Sequence, residues 1–174
     1  MRFQPQIIQY AWSVPDLDIA ARQWFELAGV GPFLVIRDVK LTEPQYRGTP
    51  SKTRFSVGIS QHGDAQIELI AQQDDTPSAY RDTVPKGATG FHHVGFIAED
   101  YDAAVEHYAS RGYALAANGR FGTLRYAYFD TSAALGHMVE VIEDMPQIRT
   151  FFGAVREAAE SWDGDPATLM RELG

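Results

Sequence analysis

Apolar positions along this chain switch between two periods, and the order of the switches is written twice. Residues 6–14 (QIIQYAWSV) are apolar, β-branched and aromatic and stop at Pro15, which predicts a strand. Pro15-Asp16-Leu17-Asp18 then reads as a helix start, with acids favoured by the helix dipole in the first turn. Leu17, Ala20, Ala21, Trp24 and Leu27 follow at helical spacing, and Gly29-Val30-Gly31-Pro32 ends the helix. Residues 33–39 and 53–61 predict strands, 62–64 a tight turn, and 65–71 (AQIELIA) the returning strand of a hairpin. Between them the polar, turn-rich stretch 41–52 predicts a long loop.

The stretch 73–90, with Pro77, Pro85 and many polar residues, predicts a connector that covers a surface. At Phe91 the order restarts. Strand 91–98 leads into helix 101–111, whose apolar face is Tyr101, Ala104, Val105 and Tyr108, and strands at 113–116, 124–130 and 138–142 follow. Alternation along the first of these puts His93, Phe91 and Gly95 on one face and His92, Val94 and Phe96 on the other. Residues 148–162 predict an amphipathic helix, its stripe of Ile148, Phe151, Phe152, Val155 and Ala158 packing on the domain or on a partner subunit. Residues 166–173 predict a further turn or two.

The restart is a repeat at residue level. A shift of 84 aligns Gln9 with His93, Trp12 with Phe96, Asp16 with Asp100, Asp18 with Asp102, Ala20 with Ala104 and Trp24 with Tyr108. A shift of 72 aligns residues 65–70 with 137–142, and with them Glu68 with Glu140. Agreement of strand order, helix position and an isolated glutamate in an apolar strand makes duplication the better account than chance.

Composition narrows the chemistry. At 174 residues the chain is one domain of two half-modules, about 6–72 and 91–144, joined by the connector 73–90 and followed by a helical tail, 145–174. Its 45% hydrophobic and 22% charged content is globular and excludes wholesale disorder. A net charge of −8 disfavours nucleic-acid partners. The absence of cysteine rules out disulfides, thiolate nucleophiles and cysteine-held zinc, leaving His, Asp, Glu and neutral oxygens as possible metal donors. No apolar run reaches the length of a signal peptide or a membrane span, so the expectation is a cytoplasmic protein with no membrane partner.

Four polar residues hold equivalent places in the two copies: Gln9 and Glu68, His93 and Glu140. Each glutamate sits among large apolar neighbours, where an unpaired carboxylate costs several kcal/mol or takes up a proton. A sheet of two related copies that curls on itself brings the inner faces of these strands together. One imidazole, two carboxylates and one amide oxygen then form a competent site for a divalent first-row metal, which also compensates the carboxylates. His92, on the opposite face by alternation, reads as structural. Tyr46, Tyr80, Arg81 and Arg125 are candidate contacts to polar groups of a substrate.

The motifs QYAWSVPDLDIAARQWFE, AQIELIAQ, FHHVGFIAEDYDAAVEHY and HMVEVIED, with the strands between them, resemble the vicinal oxygen chelate superfamily over roughly residues 6–144. That superfamily includes glyoxalase I, methylmalonyl-CoA epimerase, fosfomycin-resistance proteins, extradiol dioxygenases and bleomycin-binding proteins. The resemblance implies an α+β fold of two tandem βαβββ modules, forming a curved, U-shaped mixed sheet around a central cleft, with the C-terminal helix added. It implies metal ligands at Gln9, Glu68, His93 and Glu140, a set similar to that of zinc-type glyoxalase I, in which the two glutamates also move protons. The implied cofactor is a divalent ion (Zn, Ni, Co, Mn or Mg). The implied activity is of the glyoxalase/lyase or epimerase/isomerase type, on a small-molecule carbonyl substrate through a metal-stabilised enolate, with Glu68 and Glu140 as catalytic base and acid. A homodimer is the expected assembly. The rival readings are a non-catalytic protein of bleomycin-resistance type that sequesters a hydrophobic ligand, and a dioxygenase; Gln9 departs from the two-histidine set usual in the dioxygenases.

Overall fold

The computed structural model describes residues 5–173. The first of the two aspartate pairs matched by the repeat, Asp16 and Asp100, starts both helices. Asp16 Oδ1 accepts from the Ile19 amide at 2.9 Å, and Asp100 Oδ1 accepts from the Ala103 amide at 2.9 Å, each satisfying a donor that the helix itself leaves unpaired. The first module runs β1 (Gln6–Ser13), α1 (Leu17–Ala28), β2 (Phe33–Ile36), β3 (Thr42–Tyr46), β4 (Thr49–Pro50), β5 (Phe55–His62) and β6 (Ala65–Gln72). After α2 (Ala79–Thr83) the second runs β7 (Gly90–Ala98), α3 (Tyr101–Ala109), β8 (Ala114–Phe121), β9 (Leu124–Asp130), α4 (Ser132–Leu135) and β10 (Met138–Glu143). The tail is α5 (Pro146–Glu160) and β11 (Met170–Glu172).

All the strands form one curved mixed sheet in the order β11-β2-β5-β6-β1-β7-β10-β9-β8-β3-β4. The repeat is visible in its register. Ala11 lies opposite Glu68 in the parallel pair β1–β6, and Gly95, the residue that matches Ala11, lies opposite Glu140 in the parallel pair β7–β10. Between the modules β1 and β7 run antiparallel with Gln9 opposite Gly95 and Ala11 opposite His93, which is a pseudo-twofold relation.

Helices α1 and α3 cover the convex face. Leu17, Ala20 and Ala21 pack with Phe33, Val35, Ile67 and Leu69, while Ala104 and Tyr108 pack with Ala127, Phe129, Val139 and Val141. Each large side chain fully buried in this way contributes roughly 1.5–3 kcal/mol. Because side chains alternate along a strand, committing Ile67, Leu69, Val139 and Val141 to the helices turns Glu68 and Glu140 to the concave face. Among the described residues no helix is long and apolar enough to cross a membrane.

The structure departs from the sequence reading in four places. The stretch read as a loop contains β3, which crosses to the other module and pairs with β8. Its sequence, TEPQY, has no apolar alternation because the strand, between β8 and the edge strand β4, buries no side chain fully and is paired through its backbone. Gly119 on β8 permits the approach, since a Cβ there would lie 3.1 Å from Pro44 Cα. The connector contains a helix, α2, whose Ala79 and Tyr80 are buried beneath the cleft. At the C-terminus a 3₁₀ turn at 166–168 leads into β11, which adds in parallel to β2 where further helix was expected.

The fourth departure concerns the histidine pair. Between the β1–β7 partners Ala11–His93 and Trp12–Phe91, residue His92 is an extra residue, a β-bulge. A bulge resets the alternation, so Phe91 turns outward onto Trp12 and both imidazoles point inward.

Candidate metal centre and cleft

The pseudo-twofold brings the four matched side chains to the floor of one cleft. His93 Nε2 lies 3.1 Å from Glu140 Oε2 and 3.5 Å from Glu68 Oε2. Gln9 reaches the same spot from across β1–β7: a Cβ on Gly95 would sit 3.0 Å from Gln9 Oε1 and 3.6 Å from Glu140 Oε2. All four side chains are buried. Among the described residues no lysine or arginine pairs with the two carboxylates. Burial, and after it the charge of Glu140, raises the pKa of Glu68 well above the ordinary carboxylate value.

The inward His92 places a proton on His93 Nδ1. His92 Nε2 lies 3.1 Å from the Ala79 carbonyl, which only accepts, so that nitrogen carries the proton. Burial, and then the charge of His93, lowers the His92 pKa to about 3, so the ring is neutral and its Nδ1 is an acceptor. His93 Nδ1, 2.8 Å away, must be the donor. In the neutral form of His93 the second nitrogen then presents its lone pair to the two glutamates. It is a fully buried polar atom with no hydrogen-bond partner. Three acceptor groups converging on one point call for something electropositive between them.

A divalent ion fits that requirement. Bonds of about 2.1 Å place neighbouring ligand atoms roughly 3.0–3.4 Å apart in octahedral or tetrahedral geometry, close to the 3.1 and 3.5 Å separations around His93 Nε2. Among the described residues no three His, Cys, Asp or Glu side chains are closed into a ready-made ligand cluster. The donors are therefore matched in chemistry and close to the needed spacing, and the last adjustment falls to the two glutamate side chains.

Above this floor the cleft is apolar. Ile36, Val39 and Leu41, then Phe55, Val57 and Ile59 on β5, form one wall; Phe121, Leu124, Tyr126, Tyr128 and Ile142 form the other, and Tyr80 joins them from α2. Ile148, Phe151 and Phe152 of α5 close the side. The cavity volume is about 130 Å³.

Of the four candidate substrate contacts only Tyr80 lines this cleft. The Tyr46 hydroxyl donates to Asp82 Oδ1 at 2.6 Å, beside Arg47, which pairs with both Asp82 and Asp130. Arg81 lies on α2 outside the cleft lining. Arg125 is on the convex face of β9, bonded to Asp102 and Glu143 and stacked 4.3 Å over the Tyr101 ring. Sequence reasoning missed His92, Tyr126, Tyr128 and the cleft role of α5. A signal existed for the tyrosines in the alternation of LRYAYFD, and for α5 in its apolar stripe; a bulge leaves none.

A family model described as the glyoxalase/bleomycin resistance protein/dioxygenase superfamily matches residues 8–129. The chain belongs to this superfamily. Among solved structures it is similar to methylmalonyl-CoA epimerase from Mycobacterium tuberculosis, at 19% identity and a TM-score of 0.54, over 86% of this chain and 97% of that one. It is similar also to a Streptomyces coelicolor methylmalonyl-CoA epimerase variant in complex with 2-nitronate-propionyl-CoA (16% identity, 82% and 99% covered, TM-score 0.53). A hypothetical protein from Bacillus halodurans matches at 13% identity, 83% and 98% coverage and a TM-score of 0.55. At these identities the likeness is one of fold. No curated protein sequence matches the chain significantly.

Proposed function

We propose that this member of the superfamily is a metal-dependent enzyme of the isomerase or lyase type that moves a proton at a carbon next to a carbonyl group. The observation that carries the reading is the pair of buried strand glutamates brought to one histidine by the pseudo-twofold. Gln9, Glu68, His93 and Glu140 would hold a divalent ion, whose contribution when bound is to polarise the substrate carbonyl and stabilise negative charge developing on its oxygen. Glu140 and Glu68 reach the substrate carbon from opposite sides, one taking the proton and the other returning it. Raised by its burial, Glu68 keeps its proton to higher pH than an ordinary glutamic acid and suits the donor role. His92 holds His93 in the tautomer that presents a lone pair to the site. The apolar walls exclude water from the charge that develops at the floor.

The test is Glu140→Gln, which preserves size and removes the charge. Activity on any accepted carbonyl substrate should vanish with thermal stability retained; unchanged turnover sinks the role. The same apolar walls favour a second reading, a non-catalytic binder. Metal analysis of protein purified without chelator separates the two: stoichiometric metal, lost in His93→Ala, supports the enzyme, and no metal in either, even after soaking, supports the binder.

A further inference from the structure

Resting on the reading of this cleft as a substrate site, we infer that the substrate carries a compact, uncharged apolar tail of about six carbons, and that α5 sets this limit. The helix lies outside the stretch matched by the family model. It is nevertheless built into the cleft. Val155, fully buried, packs against Leu34 and Ile59 and anchors the middle of the helix to the sheet. Beyond its C-terminal end Trp162 packs at a tilt against Phe25 with ring centroids 5.3 Å apart, and β11 continues the sheet beside β2. Arg37 ties that strand down, bonded to both Glu172 and Asp18. So anchored, α5 presents Ile148, Phe151 and Phe152 as a fixed wall.

The space beside this wall has a definite size and polarity. An enclosed cavity of about 150 Å³ lined by Leu, Ile and Phe takes up benzene; the cleft here is open to solvent at its mouth and, at about 130 Å³, offers apolar space of similar size. Among the described residues its lining contains no lysine or arginine, and the charged groups there, Glu68 and Glu140, lie together at the floor. The oxygen-bearing end of a ligand is therefore drawn to the floor. The remainder lies between Phe55 and Val57 on one side and the α5 phenylalanines on the other, where a charge would go unpaired.

Benzene and naphthalene, titrated into chelator-treated protein and followed by NMR, test the assignment without metal or turnover. Benzene should shift signals of Phe151, Phe152 and Tyr126, with naphthalene bound at least tenfold more weakly. Phe152→Ala should raise naphthalene affinity about tenfold or more, the scale on which apolar pockets discriminate by size. Leu41→Trp, which fills the cleft from its half-buried side, should weaken benzene by a similar factor. No benzene binding by the folded wild-type protein, or affinities that neither variant moves, overturns the inference. Benzene bound by protein that never retains metal removes the enzyme reading and leaves the tail assignment standing; metal retained without benzene binding does the reverse.

Discussion

Gly95→Ala adds one methyl group at the most crowded point of the site. Gly95 is in ordinary extended backbone, with φ outside the left-handed region, so alanine introduces no backbone strain there. The whole effect comes from contacts. The new Cβ would meet Gln9 Oε1 at 3.0 Å and Gln9 Cβ at 3.1 Å, against about 3.5–4.0 Å for comfortable packing. Both neighbours belong to a buried side chain in the central strand β1, which cannot swing into solvent. Overpacking of this kind costs about 1–3 kcal/mol. At roughly 2–4 °C per kcal/mol for a chain of this length, the melting temperature should fall by roughly 2–12 °C. Urea denaturation is the assay, with an unchanged slope showing that the loss is one of stability. Adding Gln9→Ala removes the nearer contact, so the double variant should recover at least about 0.5 kcal/mol relative to additivity. Stability within about 0.5 kcal/mol of wild type, or strictly additive losses, would refute the claim that Gln9 is locked against Gly95.

Three further outcomes follow from the same site. His92→Phe keeps an aromatic ring but leaves the Ala79 carbonyl and His93 Nδ1 without partners; metal affinity by chelator competition should drop about 10–100-fold, and ¹⁵N imidazole spectra should show His93 losing its single tautomer. Metal-free protein should lose stability as pH rises from the ordinary glutamate range through the raised pKa of Glu68, because the folded state there holds a proton that the unfolded chain has released. Glu68→Gln should flatten that slope in denaturation measured across pH; an unaltered slope would place the titration elsewhere. Arg37→Ala breaks two exposed pairs, so it should change stability by at most about 1 kcal/mol, and the difference from wild type should shrink in high salt.

The parts of this fold that were legible in the sequence are those where burial forces a pattern. Glu68 and Glu140 stand out because their strand neighbours are apolar on the helix-covered face, and the matched shifts of 72 and 84 become matched registers across β1–β6 and β7–β10. Asp16 and Asp100 were readable as helix starts because capping needs a short acceptor side chain at a fixed offset. Where backbone pairing alone sets the structure, the sequence is silent. Thr42–Tyr46, next to the edge strand β4, and Met170–Glu172, at the opposite edge, have no fully buried side chain, and nothing in their composition distinguishes them from loop. The His92 bulge is silent for a different reason. Alternation assumes a regular ladder, and one inserted residue moved His92 from the wrong side of the sheet to the centre of the site. The apolar stripe of α5 was correctly seen as a packing face, but a stripe does not say whether it closes a core or a cleft.

The crossing of β3 onto β8 bears on how the duplicated chain can change. Two linked copies that merely lay side by side could be cut apart again, each half pairing with a second of its kind. Here the first half lends a strand to the far edge of the second, and Tyr46 and Arg47 fasten it to Asp82 and Asp130. A chain severed in the connector would release a first half whose β2 has lost β11 and whose β3–β4 hairpin has lost β8, and a second half with β8 uncovered. The ancestral symmetry survives in the floor of the cleft, but the strand exchange has made the two copies indivisible.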